Sequence, residues 1–283
     1  MSPIELRGCM STNARVEIIS IGNELLIGKI LNTNAHWLAK RITSLGLSVC
    51  RITVVGDDVD EISSVLKESI QRKPAFIITT GGLGPTFDDK TLEGVAMATS
   101  RELEENREAL EMIKRKYEEY VAEGRMERVE LTQYRVKMAR LPRGARPIPN
   151  PIGTAPGVLL EHEGAKLIML PGVPEEMKAI FEESILPLLR KAAGNMFFYE
   201  TSLEVVGIYE SDLAPLIEEV MRENPYVYIK SHPKISERVQ KIELHLSTTC
   251  SDESLARQRI ERSIMQVSSL ISERGGRIRP IQA

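Results

Sequence analysis

Residues 75–96, AFIITTGGLGPTFDDKTLEGVA, decide the fold. Ala75–Thr80 is a short apolar run rich in β-branched residues, which reads as a buried strand, and Gly81-Gly82 end it at once. Leu92, Val95 and Ala96 then recur at helical spacing, so a helix is predicted to begin near Asp88 or Asp89. The same strand–turn–helix unit occurs twice upstream. Val16–Ile21 is predicted as a strand, followed by a helix carrying Ala35, Leu38, Ala39, Ile42 and Leu45, with Asn32 or Asn34 as its N-cap and Gly46 as its stop. Val49–Val55 is the next strand; it ends in Gly56-Asp57-Asp58, and Asp60 is placed to cap a helix with Ile62, Val65, Leu66 and Ile70 on one face. Three such alternations predict an α/β fold with a doubly wound, mostly parallel sheet, whose ligands bind at the carboxyl ends of the strands.

Further along, Glu102–Glu123 reads as a charged helix and residues 130–140 as a short second one. The stretch PRGARPIPNPIGTAPG reads as loop because of its prolines and glycines. Gly157–Glu161 and Lys166–Leu170 are predicted as paired strands, and Pro174 suits the first turn of a helix reaching about Lys191. Ala192–Asn195 is the expected boundary. Beyond it a strand (Phe197–Val206), a helix (Ser211–Arg222), two strands (Tyr226–Lys230, Val239–Ser247) and a helix (Asp252–Glu273) form a second, smaller α+β unit. The expected organisation is therefore a flexible leader over 1–15, an α/β domain over 16–192 and a small α+β domain over 196–276.

Composition bounds the function classes. In 283 residues, 42% hydrophobic and 27% charged is ordinary globular usage. A formal net charge of -3 leaves no basic excess to neutralise phosphates, which disfavours bulk nucleic-acid binding. No apolar run approaches the roughly 20 residues needed to span a bilayer. Cys9, Cys50 and Cys250 are scattered, against both a disulfide framework and a zinc site, and the opening residues lack a secretory pattern; a cytoplasmic protein is expected.

The chemistry concentrates in Thr79–Thr91. Gly81, Gly82 and Gly84 let backbone approach a ligand closely, and their amides with the following helix could cradle a phosphate. The loop is neither a P-loop nor the dinucleotide GxGxxG. A tight strand–helix turn capped by Asp88 or Asp89 is the plain alternative. Adjacent strand ends bring Asp57 towards Asp88 and Asp89, and carboxylates beside a phosphate repel it unless a cation intervenes. A divalent metal, magnesium first with cobalt or manganese as alternatives, would resolve that conflict with Asp57, Asp88 and Asp89 as its ligands. Turn chemistry alone also accounts for Asp57 and Asp58.

The segments IGNELLIGKILNTNAHWLAKRI, VVGDDVDEI, TTGGLGPTFDDKT, PNPIGTAPG and LPGVPEEM together resemble the amino-terminal half of the CinA (competence-damage-inducible protein A) family. That fold is shared with the molybdopterin-binding domain of molybdenum-cofactor biosynthesis proteins, and the resemblance runs from about Val16 to Lys191. VVGIYESDLAPLIEE is similar to the small domain of KH-like topology that follows in CinA proteins. The resemblance implies a nucleotide or a phosphate-bearing pterin as ligand, with the functionally important aspartates falling on Asp57 and Asp89. Asp88 stands where the cofactor-biosynthesis relatives tend to carry arginine, which tilts the expectation from adenylyl transfer to molybdopterin towards the ADP-ribose pyrophosphatase activity associated with CinA-type domains. The sequence ends at Ala283, so the nicotinamide mononucleotide deamidase domain of many CinA proteins is expected to be absent.

The expectation is thus a metal-dependent hydrolase of a nucleoside-diphosphate-linked substrate. Gly81, Gly82, Gly84, Thr86 and Lys90 would hold the pyrophosphate, while Asp57, Asp88 and Asp89 would be catalytic and bind the metal. The alternative is a molybdopterin- or nucleotide-binding protein without turnover. Asn23, Glu24, Asn32 and Asn34 after the first strand, and Gly153, Thr154, Ala155 and Gly157, are further ligand-binding candidates, each with an equally good reading as turn, cap or rigid-loop residue. His36, His162, His232 and His245 show no ligand spacing. The small domain lacks the Gly-x-x-Gly loop of nucleic-acid-binding KH modules and reads as an interaction or dimerisation element. A homo-oligomer, a dimer by the resemblance, is expected.

Overall fold

A computed structural model of the chain describes residues 14–234 and 241–281, so most of the expected leader (1–13, with Cys9) lies outside the described residues. The chain folds as two compact units, the first formed from Ala14–Thr43 with Leu47–Ala192 and the second from Ala193 onward together with the short turn Ser44–Gly46.

In the first unit β1 (Arg15–Ile21), α1 (Asn23–Leu26), α2 (Thr33–Ser44), β2 (Ser48–Val55), α3 (Val59–Gln71), β3 (Phe76–Thr80) and α4 (Thr91–Ala98) give the predicted alternation. There follow β4 (Leu103–Glu105), α5 (Arg107–Ala122), α6 (Gln133–Lys137), β5 (Arg140–Pro142), β6 (Arg146–Ile148), β7 (Gly157–His162), β8 (Ala165–Leu170) and α7 (Pro174–Ile180). A π-helical turn, Phe181–Ile185, joins α7 to α8 (Leu186–Ala193). Pro187 accounts for that widened turn: it has no N–H for residue 183, and its ring would clash with that carbonyl in a regular α-helix.

The six-stranded sheet runs β2-β1-β3-β8-β7-β6, parallel over the first four strands and antiparallel over the last three. A doubly wound, mostly parallel sheet is what the alternation predicts. The edge strand β2 is largely exposed, while the inner strands are buried as such sheets require: Ile18, Ile77, Ile78, Leu167 and Ile168 are fully buried. Each contributes about 1.5–3 kcal/mol of transfer free energy. Glu17 is the exception on β1, a buried carboxylate that accepts from Arg72 Nε and Nη2 and from Ser69 Oγ, all at 2.8 Å. Between α3 and α4, a Cβ on Gly94 would collide with Ile62, so this glycine sets how closely the two helices pack.

Several boundaries differ from the reading of the sequence. Asp58, not Asp60, caps α3 by accepting from Glu61 N–H at 3.0 Å. Between Asn32 and Asn34 the cap is Asn32, which accepts from Ala35 N–H at 3.1 Å. The predicted charged helix over 102–123 opens instead as strand β4, and α5 starts after Asn106, whose side chain caps it at Ala109 N–H. The stretch expected to be loop contains β6, an edge strand in which Pro147 is tolerated because an edge needs no donor on its free side.

The second unit contains β9 (Phe197–Val206), α9 (Glu210–Glu223), β10 (Tyr228–Lys234), β11 (Lys241–Cys250), α10 (Glu253–Glu273) and β12 (Arg277–Pro280). Its antiparallel sheet runs β10-β11-β9-β12. Strand β12, beyond the expected end of the small domain, pairs with β9 from Arg277↔Val206 to Pro280↔Leu203. Leu244, Leu246, Val220, Ile260 and Val267 are among its buried core. No helix among the described residues is long and apolar enough to cross a membrane.

Candidate functional site

The carboxyl ends of β1, β2, β3 and β8 open onto one cleft of about 390 Å³. The loop 81–89 forms one wall, Thr154 and Ala155 a second, and Pro171–Val173 the floor, with Glu24, Asp57 and Glu176 between them.

The glycine loop is held by its own backbone. Gly81 has φ +109° and donates to Leu170 O at 3.0 Å; a Cβ there would run into Ile21 O. Thr91 closes the loop from the far side: its Oγ1 donates to Gly81 O at 2.7 Å and its N–H to Gly82 O at 3.2 Å. The first turn of α4 is therefore partly committed, and the helix starts at Thr91 rather than at the aspartates. Those aspartates bend back instead. Asp89 Oδ2 accepts from Thr86 N–H at 2.8 Å, and the Thr86 hydroxyl lies between Asp88 and Asp89. Among the described residues, no protein acceptor takes the N–H of Gly82, Leu83 or Gly84, all three of which line the cleft.

Lys137, from α6, completes the loop and belongs to none of the sequence motifs. Its Nζ donates to Thr86 O at 2.5 Å and Asp89 O at 2.8 Å. Burial lowers its pKa, against the opposing pull of Asp89 and Glu93. Lys137 is distant in sequence and its signal is only that of a lysine in a short helix.

The second wall is organised by Asn150. Its Nδ2 donates to Ala155 O at 2.8 Å and Glu176 Oε2 at 2.7 Å, while its Oδ1 accepts from the N–H groups of Ile152 and Gly153 at 3.1 and 2.8 Å. Gly153 packs where a Cβ would fall inside the Glu176 carboxylate. Gly153 itself faces a neighbouring hollow, and Gly157 is a buried residue of β7; of the four candidates in this segment only Thr154 and Ala155 reach the cleft.

Other expected residues are placed differently. The Asn23 side chain is not on the cleft; its backbone N–H donates to Asp57 Oδ2 at 2.8 Å. Asn32 and Asn34 line an adjoining hollow with Ser20 and Thr80. Asn34 Nδ2 is spent on Thr80 Oγ1 at 3.0 Å and Gly172 O at 2.7 Å, which ties α2 to the ends of β3 and β8. Lys90 turns away from the cleft to pair with Glu93 at 3.2 Å.

Five carboxylates, Glu24, Asp57, Asp88, Asp89 and Glu176, line the cleft and no lysine or arginine does. Burial pushes the Asp57 carboxyl above its usual range; the Asn23 N–H opposes this, and Glu24, Asp88 and Asp89 add to it. Asp88 shifts the other way, held down by the Thr86 hydroxyl. The expected metal cage is not assembled. Among the described residues no three His, Cys, Asp or Glu side chains are gathered to hold a metal ion. Asp88 and Asp89 are folded onto Thr86 and Asp57 onto the Asn23 amide, so their oxygens do not converge on one point.

Comparison with known proteins agrees with this architecture. The chain is 46% identical over 258 residues, 90% of its length and 96% of the relative's, to a curated protein of Caldivirga maquilingensis. It is 44% identical over 270 residues, 95% and 98% of the two chains, to one of Aeropyrum pernix. The crystal structure of the protein CinA from Thermoplasma acidophilum, described as of unknown function, matches with a TM-score of 0.57 and 40% identity over 63% of this chain and 99% of that one. Residues 17–191 match the family described as "Probable molybdopterin binding domain", and the chain belongs to that family.

Proposed function

We propose that the first unit is a CinA-like binding domain for a phosphate-bearing pterin of the molybdopterin type or a related nucleotide, held in the cleft at the carboxyl end of the sheet. The uncommitted N–H groups of Gly82, Leu83 and Gly84 carry this reading. Three successive backbone donors left without protein acceptors at a strand end are suited to an oxyanion. Pro85 and Val173 offer apolar surface to a flat ring, and Thr154 offers a hydroxyl. The five carboxylates oppose a bare phosphate, so a ligand that brings its own divalent counter-ion fits the cleft better than one without.

The family match and the unassembled metal cage favour binding over the hydrolysis of a nucleoside-diphosphate-linked compound. The test is a fluorescence titration of molybdopterin with the full chain, with and without magnesium, run beside an assay of ADP-ribose cleavage. Saturable quenching strengthened by magnesium, with ADP-ribose left intact, is expected. Cleavage of ADP-ribose that is lost in Asp89→Asn, without pterin binding, would overturn the binding reading and restore the hydrolytic one.

A further inference from the structure

The second unit contains a separate hollow of about 510 Å³ between the turn after α9 and the outer face of α10. Leu255, Gln258, Arg259, Arg262 and Met265 recur along α10 at spacings of three and four, so they share one face, and Tyr226 stands opposite. The frame is fixed by hydrogen bonds. Thr248 Oγ1 donates to Tyr226 O at 2.6 Å, Val227 N–H to Asn224 O at 3.0 Å, and Asn224 Nδ2 to Gln266 Oε1 at 2.7 Å.

Arg259 and Arg262 line this hollow together with Glu223 and Glu261. The Arg259 guanidinium lies over the Tyr226 ring, 4.2 Å from its centroid, and its Nη1 is buried with no hydrogen-bond partner. Arg262, one turn on, has no ion-pair or hydrogen-bond partner among the described residues. Of the two glutamates, Glu223 accepts from Gln266 Nε2 at 2.6 Å, and Glu261 stands on α10 next to Arg262. Elsewhere on the same helix Arg257 does have its carboxylate, Glu253, at 2.8 Å. A guanidinium is never discharged at ordinary pH, so its desolvated nitrogen without an acceptor is a standing cost, and the group's other N–H donors remain for a ligand. A stacked guanidinium presents its remaining N–H groups in a fixed fork that matches phosphate or carboxylate. Leu255 and Met265 are exposed beside it and would cover an apolar body.

We infer that this hollow is a binding site for a small organic oxyanion, a phosphate or carboxylate head on an apolar or aromatic body, with Arg259 and Arg262 as the anion fork and Tyr226 as the platform. The site is independent of the cleft in the first unit and does not rest on the pterin reading.

The test is an NMR titration of the full chain with phenyl phosphate and, separately, phenylacetate, with inorganic phosphate as reference. Saturable shifts at residues 224–227 and 258–265 are expected, tighter for an aromatic probe than for inorganic phosphate. Preference for phenyl phosphate identifies a phosphate head, and preference for phenylacetate a carboxylate. Arg259→Gln should weaken binding roughly tenfold or more. Arg262→Gln, at a position with no contact to lose, should weaken it too while the spectrum stays that of the folded chain. Absence of saturable shifts with both aromatic probes, or affinity unchanged in Arg262→Gln, would overturn the assignment.

Discussion

Asn150 Nδ2 lies 2.7 Å from Glu176 Oε2, joining the loop before β7 to the first turn of α7. With the other three bonds of its amide, this contact makes Asn150 the organiser of the wall that carries Thr154 and Ala155. Asn150→Asp places an acceptor against both Glu176 and Ala155 O. It should lower stability by about 1–3 kcal/mol in urea unfolding, with part of the loss recovered in the double variant with Glu176→Gln. Full additivity of the two changes would show that the pairing contributes nothing.

Gly81 is constrained twice, by its positive φ and by Ile21 O. Gly81→Ala should cost about 1–3 kcal/mol, because neither the backbone nor the neighbouring carbonyl has room to yield. Thermal unfolding reads the loss, and a midpoint equal to that of the parent chain would contradict the packing described.

Lys137 anchors the loop from outside through two carbonyls. Lys137→Met keeps the aliphatic stem and removes both bonds. Amide hydrogen exchange should accelerate over residues 84–90 while β3 stays protected. Unchanged exchange in the loop would reduce Lys137 to a packing residue.

The Glu17–Arg72 pair gives a pH signature. Burial alone would raise the Glu17 pKa, but the Arg72 and Ser69 hydrogen bonds and the charges of Arg72 and Arg51 outweigh it, and the net shift is downward. A carboxylate with a lowered folded pKa contributes stability that is complete above the unfolded value, near 4.5, and is lost as pH falls through the folded one. Glu17→Gln leaves Arg72 with Glu68, at 3.6 Å, as its carboxylate partner and should destabilise the chain by about 1–3 kcal/mol at neutral pH. It should also flatten the acid limb of the stability profile, measured by denaturant midpoints from about pH 7 to about pH 3. An acid limb as steep as in the parent would assign that loss to other groups.

The parallel sheet was legible because each of β1, β2 and β3 is an apolar run closed by glycine or aspartate; β1 and β3 are buried on both faces, while β2, at the sheet edge, is largely exposed. The cleft was legible as a strand-end loop for the same reason. Lys137 and Glu176 were not, because each acts through a partner far along the chain, and Asn150 was not because its link to Glu176 spans 26 residues. Lys90 misled in the opposite sense: a local partner, Glu93, claimed a side chain that the sequence leaves free to face a ligand, whereas Asn32 took the cap position that the sequence also offers. Asp88 and Asp89 looked like a cap and a metal pair, but the Thr86 hydroxyl and amide two and three residues back were closer competitors for their oxygens.

In the proposed complex the free amides of Gly82, Leu83 and Gly84 receive the ligand's phosphate. Backbone amide chemical shifts of the isotopically labelled full chain, followed as molybdopterin is added in the presence of magnesium, test this most directly. The amides of Gly82, Leu83 and Gly84 are predicted to move furthest, accompanied by Thr154 and Ala155, and to saturate with a single affinity. Those amides remaining in place at saturating ligand would contradict it.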